Sequence, residues 1–130
     1  MTDETMTIRQ MCETYDVSPR TLRFYEAKEL IFPIRKGAQR LFTRQDRARL
    51  KLILRGKRFG FSLEAIRQIL AMYNRHGSNE AQLIRAYEMA RERLHQMESQ
   101  RAELEVAIAE LKVELAAGAA TIAEFRRAAE

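Results

Sequence analysis

Between Leu83 and Leu115 one seam runs in a single rhythm, alternately four and three residues apart. Its members are Leu83, Tyr87, Ala90, Leu94, Met97, Arg101, Leu104, Ile108, Leu111 and Leu115, and all but Arg101 are apolar or small. That spacing holds one stripe on one side of a helix for more than four heptads, which no ordinary surface helix does. The segment from Glu80 to Leu115 extends about 54 Å at ~1.5 Å per residue. Such a rod cannot bury its seam on the small head that precedes it, so it needs a partner helix, most simply the same helix of a second subunit. The expected layout is a compact head over residues 1–76, a coiled-coil dimerisation helix over 80–116 and a short tail over 117–130. The Gly77-Ser78-Asn79 run marks the break before the helix. Gly118 is expected to weaken or end it, with Ile122 and Phe125 in a short fold-back.

The head has its own organising stretch, Ser18-Pro19-Arg20-Thr21-Leu22-Arg23-Phe24-Tyr25-Glu26. Ser18 can accept a bond from a first-turn N–H. Pro19 follows at the first helical position, where φ is preset and no donor is wasted. Leu22 is the expected inward anchor, with Arg20, Arg23 and Tyr25 outward. Two guanidiniums and a phenol on a sharply started helix suit entry into a DNA groove and a grip on phosphates. Before it, Thr7 can cap a short helix from Ile8 to about Thr14, with Ile8, Met11 and Cys12 on its buried face. Two short helices joined by a tight Tyr15-Asp16-Val17 connection make a helix-turn-helix. Residues 1–6 read as a frayed terminus.

Charge supports a polyanion partner. Residues 1–76 carry 16 Lys+Arg and 8 Asp+Glu, while residues 77–130 carry 7 and 10, so the net +5 is a head of +8 and a tail of −3. One cysteine, Cys12, excludes an internal disulfide and fits a reducing compartment. No run reaches the ~18 apolar residues of a membrane span. The acidic Met1-Thr2-Asp3-Glu4 start is not that of a signal peptide, and a cytoplasmic location is expected.

Leu30 to Phe42 predicts a two-stranded hairpin, with Pro33 on an edge and a turn at Lys36-Gly37-Ala38. Arg35, Lys36 and Arg40 cluster near its tip. A basic hairpin after a recognition helix is a wing that can lie over the flanking phosphates. Thr43 and Asp46 form a capping pair that opens a helix with Leu50, Ile53 and Leu54 inward, and Gly60 stops it. Ser62 caps the next helix, whose inner face is Leu63, Ile66, Ile69, Leu70 and Tyr73.

With these residues in place, the chain from about 7 to 115 resembles the MerR-type bacterial transcription regulators. The motifs that carry the likeness are Val17 through Glu26, Arg40-Leu41-Phe42-Thr43 at the wing exit, and Gly60-Phe61-Ser62-Leu63-Glu64-Ala65-Ile66. The resemblance implies a mainly α fold: a winged helix-turn-helix with a small β-hairpin wing, then a long antiparallel coiled-coil dimerisation helix. It implies DNA contacts, mostly to phosphates, from Arg20, Thr21, Arg23 and Tyr25 of the recognition helix, from Arg40 of the wing, and from Lys57; Ser18 at the helix start and Arg35 in the basic wing cluster are expected to join them. The sequence departs from the family pattern at Phe24 and Phe42, where tyrosine is frequent, and at Ala38-Gln39, where Gly-Tyr is common. The mechanism so implied is a homodimer on a near-palindromic promoter operator. Distortion of the DNA brings promoter elements into register for RNA polymerase, under control of a small-molecule effector where one exists.

Other features bound that picture. Two accounts of Arg101 stand: snorkelling with its head in water or paired to Glu98 or Glu105, or fixing of helix register. His76 and His95 show no ligand spacing and Cys12 stands alone, so no metal or other cofactor is expected. No nucleophile–base pair or phosphate loop points to an enzyme. The alternative to a switching regulator is an architectural or recombination-associated DNA-binding protein. A third class is a coiled-coil adaptor whose head binds protein. Salt dependence separates DNA binding from protein binding, because phosphate contacts release counterions.

Overall fold

A computed structural model describes residues 4–73 and 80–130. The expected break at Gly77-Ser78-Asn79, His76 and the side chain of Tyr73 lie outside what is described. The elements run β1 (Met6–Thr7), α1 (Ile8–Tyr15), α2 (Pro19–Ala27), β2 (Ile34–Lys36), β3 (Gln39–Phe42), α3 (Arg44–Arg58), α4 (Leu63–Tyr73) and α5 (Glu80–Ala128). They group into two compact units, Met1–Ala86 and Tyr87–Glu130.

The first unit is built from capped pieces. Thr7 and Gln10 cap α1 reciprocally, Ser18 accepts from the Thr21 amide at the start of α2, and Thr43 and Asp46 cap α3 reciprocally. Ser62 Oγ accepts from the Ala65 amide at 3.1 Å as α4 begins. Each such cap is worth about 1 kcal/mol, which matters for helices as short as α1 and α2. Their shared core is Met11, Leu22, Tyr25, Leu30, Ile31, Phe42, Leu50, Ile53, Ile66 and Leu70. Cys12 and Val17 pack against it, as their positions in the sequence suggest.

Two expectations for this unit change. Met6 is not frayed: it pairs with Phe42, and the capping Thr7 pairs with Leu41, so the sheet has three antiparallel strands in the order β1-β3-β2. The wing hairpin therefore has its inner strand, β3, paired on both sides. Pro33 is also not an edge-strand residue. It is buried and precedes β2, while Leu30 and Ile31 sink into the core instead of pairing.

The second unit is helical. Gly118 does not end α5, which continues to Ala128, so the expected tail is helix too. A helical Gly costs about 1 kcal/mol relative to Ala. Here it is flanked by Ala116, Ala117, Ala119 and Ala120, the best helix formers. The four–three rhythm runs on through Gly118, Ile122 and Phe125. In the single chain these apolar seam side chains are exposed, Leu104 by 59% and Phe125 by 72%.

Candidate nucleic-acid interface

The recognition helix α2 is held at both ends and along one side. At its start, Ser18 Oγ accepts from the Thr21 amide at 3.0 Å and pairs with the Thr21 hydroxyl at 2.9 Å. Leu22 and Tyr25 are buried beneath it. At its end, the Glu29 amide donates to the Glu26 carbonyl and the Leu30 amide to the Tyr25 carbonyl, with Glu29 left-handed at φ 60°. Arginines from the two following helices close that end. Arg67 of α4 donates to the Lys28 carbonyl, and Arg49 of α3 donates from Nε to the Leu30 carbonyl at 2.6 Å. The Arg67 cation on the Lys28 cap carbonyl satisfies an orphan acceptor and opposes the helix dipole, while Arg49 anchors the chain just past the helix end.

Arg49 is buried, and its guanidinium lies 5.4 Å from the centre of the Phe32 ring. Burial pulls it below the ordinary arginine value, Asp46 raises it again and Arg67 lowers it. Asp46 in turn accepts from the Phe32 amide at 2.9 Å while it caps α3. One turn of α3 thus pins the link between α2 and the wing.

The wing itself is tied to α2. β2 and β3 pair Ile34 with Leu41, Arg35 with Arg40 and Lys36 with Gln39, around a turn where Gly37 has φ 62°. Arg35 and Arg40 therefore face each other across the hairpin, a repulsive cross-strand pair by itself. Glu26 of α2 resolves the repulsion, meeting Arg40 Nε at 2.6 Å and Arg35 at 3.2 Å. Nothing in the local sequence marks Glu26 for this role. Its partners lie 9 and 14 residues away, beyond any helical or strand period.

The expected site residues fall into three groups. Arg20, Arg23, Arg35 and Lys57 are exposed, while Ser18 and Thr21 are engaged in capping. Arg40 is only 21% exposed at its side chain and is committed to Glu26. Tyr25 is the correction. It is buried, 4% exposed, and burial raises its phenol above the ordinary tyrosine value. The outward aromatic of α2 is Phe24, with Lys28 Nζ 5.6 Å from its ring centre. The signal was present: Tyr25 stands three residues after the inward Leu22 and so shares its face. A further basic surface also went unassigned. Arg44, Arg47, Lys51 and Arg55 of α3 line a cleft of about 480 Å³ beside Tyr15.

A polar-faced helix on a helix-turn-helix, clamped to a basic wing, has the parts of a DNA-reading head. The family models agree. A MerR HTH family regulatory protein model matches residues 6–73, and a MerR DNA-binding model matches residues 47–113. The chain belongs to the MerR family of DNA-binding transcriptional regulators. It is similar to the HTH-type transcriptional regulator ZntR of Escherichia coli strain K12, 34% identical over 103 residues that cover 75% of this chain and 70% of that one. Its fold is similar to HiNmlR, a MerR family regulator lacking the sensor domain and bound to promoter DNA. That likeness has a TM-score of 0.64 and 25% identity, over 86% of this chain and 88% of that one. A MerR family regulator from Bacillus cereus matches with a TM-score of 0.64 and 26% identity, over 82% and 78% of the two chains. Among the described residues no helix is long and apolar enough to cross a membrane.

Proposed function

We propose that this MerR-family chain acts as a homodimer on a near-palindromic promoter operator and switches transcription by distorting the DNA between promoter elements. Arg20 and Arg23 reach the groove and its phosphates from α2. Arg35 reaches the flanking backbone from the wing, where Arg40, held by Glu26, supports it, and Lys57 reaches the backbone from the end of α3. Ser18 and Thr21 serve by fixing the start of α2, where first-turn N–H groups can meet a phosphate. Tyr25 serves the core and not the DNA. RNA polymerase at the same promoter is the partner through which the switch acts, with a small-molecule effector as the input where the regulator has one.

The observation that carries this reading is the clamp between α2 and the wing: Glu26 holds two wing arginines beside a helix whose Arg20 and Arg23 are free of the core. Two DNA-bound states a few kcal/mol apart suffice for switching, given a deformable operator. A gel-shift titration of Arg23→Ala tests the assignment. A loss of about 1–3 kcal/mol in operator affinity is expected for a strong contact. Unchanged affinity would remove Arg23 from the interface.

A further inference from the structure

The outer face of α3 carries a basic stripe that lies outside the DNA contacts proposed above. Arg44, Arg47, Lys51 and Arg55 follow one another at three- and four-residue steps, which places them in one row along the helix. Like charges at that spacing repel. Elsewhere in the head, carboxylates pair with Arg9, Arg35, Arg40 and Arg67. Among the described residues no carboxylate pairs with any member of this stripe. Arg44, Lys51 and Arg55 are exposed. Arg47 is held in place by two carbonyls, its Nη1 donating to Glu4 at 2.8 Å and to Phe42 at 3.2 Å.

The stripe borders a cleft. With Tyr15, Ala48 and Leu52 it encloses about 480 Å³, within the ~300–1,000 Å³ of small-molecule sites. Tyr15 and Leu52 are half-buried and pack against the core, so the apolar side of the cleft is fixed in place. Four cations call for an anion of several charges, and three of them are guanidiniums, whose forks match phosphate oxygens. A phenol ring beside a leucine suits a flat heterocycle, because bases stack on aromatic side chains. Position separates the cleft from the DNA contacts proposed above. Lys57 comes two residues after Arg55 and so lies about 200° further round α3. Arg47 reaches the chain just before β1, whereas the Glu26 clamp holds Arg35 on β2, the opposite edge of the sheet.

We propose that this cleft binds a nucleoside polyphosphate, with the phosphates along Arg44, Arg47, Lys51 and Arg55 and the base against Tyr15 and Leu52. The bound anion relieves the repulsion along α3. Through Tyr15 it also ties α1, the first helix of the helix-turn-helix, to α3.

Isothermal titration calorimetry on the full chain tests this with magnesium-free adenosine triphosphate, inorganic tripolyphosphate and adenosine. One adenosine triphosphate should bind per chain, tripolyphosphate should bind on the order of tenfold more weakly, and adenosine should not bind measurably. Lys51→Gln and Arg55→Gln, both at exposed positions, should each weaken the two anions on the order of tenfold. Tyr15→Leu, its fold checked by circular dichroism, should weaken adenosine triphosphate and leave tripolyphosphate unchanged. No saturable binding, or binding that neither glutamine variant alters, overturns the site. Tripolyphosphate binding as tight as that of adenosine triphosphate, with Tyr15→Leu without effect, overturns the nucleoside. Duplex DNA is the other source of phosphate, and Lys51→Gln should leave the salt dependence of DNA binding unchanged. A salt slope smaller by about one in that variant would give the cleft to the DNA backbone and overturn the proposal.

Discussion

Arg35 and Arg40 are direct cross-strand partners in the wing, and one carboxylate, Glu26 of α2, bonds them both. The wing and the recognition helix are therefore one mechanical piece. Glu26→Gln should leave the two guanidiniums repelling each other beside a neutral amide. The expected cost is about 1 kcal/mol of stability, since the Arg40 pair is partly buried and the Arg35 pair mostly solvated. Urea unfolding measures it, and a midpoint equal to the wild type would mean the bridge contributes nothing.

Glu29 and Gly60 hold the same station at the ends of α2 and α3. Each is left-handed, φ 60° and φ 83°, and each is followed by a residue whose amide reaches back five positions, Leu30 to Tyr25 and Phe61 to Gly56. The left-handed region costs a residue with a Cβ roughly 1 kcal/mol, and Gly nothing. Glu29→Gly should stabilise the head by about 1 kcal/mol at an exposed position. A fall in the thermal midpoint would show that the Glu29 side chain has a role of its own.

Gly56 of α3 lies close against Ile66 of α4. A Cβ there would lie 2.8 Å from Ile66 Cγ1, and Ile66 is buried and branched. Gly56→Ala gains helix propensity of about 1 kcal/mol but overpacks the contact by roughly 1–3 kcal/mol. The overpacking should win, giving net destabilisation by denaturant titration. Pairing it with Ile66→Val should recover part of the loss.

The Tyr25 phenol gives the head an alkaline limit. Its value is raised in the folded state by burial, so between the unfolded and folded values the native chain holds the proton that the unfolded chain releases. The resulting stability is fully present below the unfolded value of about 10 and is lost as pH rises through the folded one. Stability measured across that range should fall less steeply with pH in Tyr25→Phe than in the wild type. Equal slopes would place the phenol in contact with water.

The parts of this fold that were legible are those written in local chemistry. Ser18-Pro19 starts α2, Thr43 with Asp46 starts α3, and Gly60 stops it, each within one turn of the residues concerned. What escaped was set at a distance or by size. A two-residue strand such as β1 has no period to detect, and its partners Leu41 and Phe42 lie far along the chain. The inward turn of Tyr25 was readable from its spacing to Leu22, but the polar hydroxyl argued for the surface while the large ring fills the core. Gly118 carried the usual meaning of a stop, yet its alanine neighbours carry α5 through it.

In the homodimer proposed above, two heads read one two-fold DNA site. The most direct measurement is a footprint of the purified protein on the DNA immediately upstream of its own gene and its neighbours, at two salt concentrations. A protected, nearly symmetric site between promoter elements is expected, with affinity falling steeply as salt rises. Weak, salt-sensitive binding with no protected site at any of these promoters would contradict it and favour an architectural DNA-binding protein.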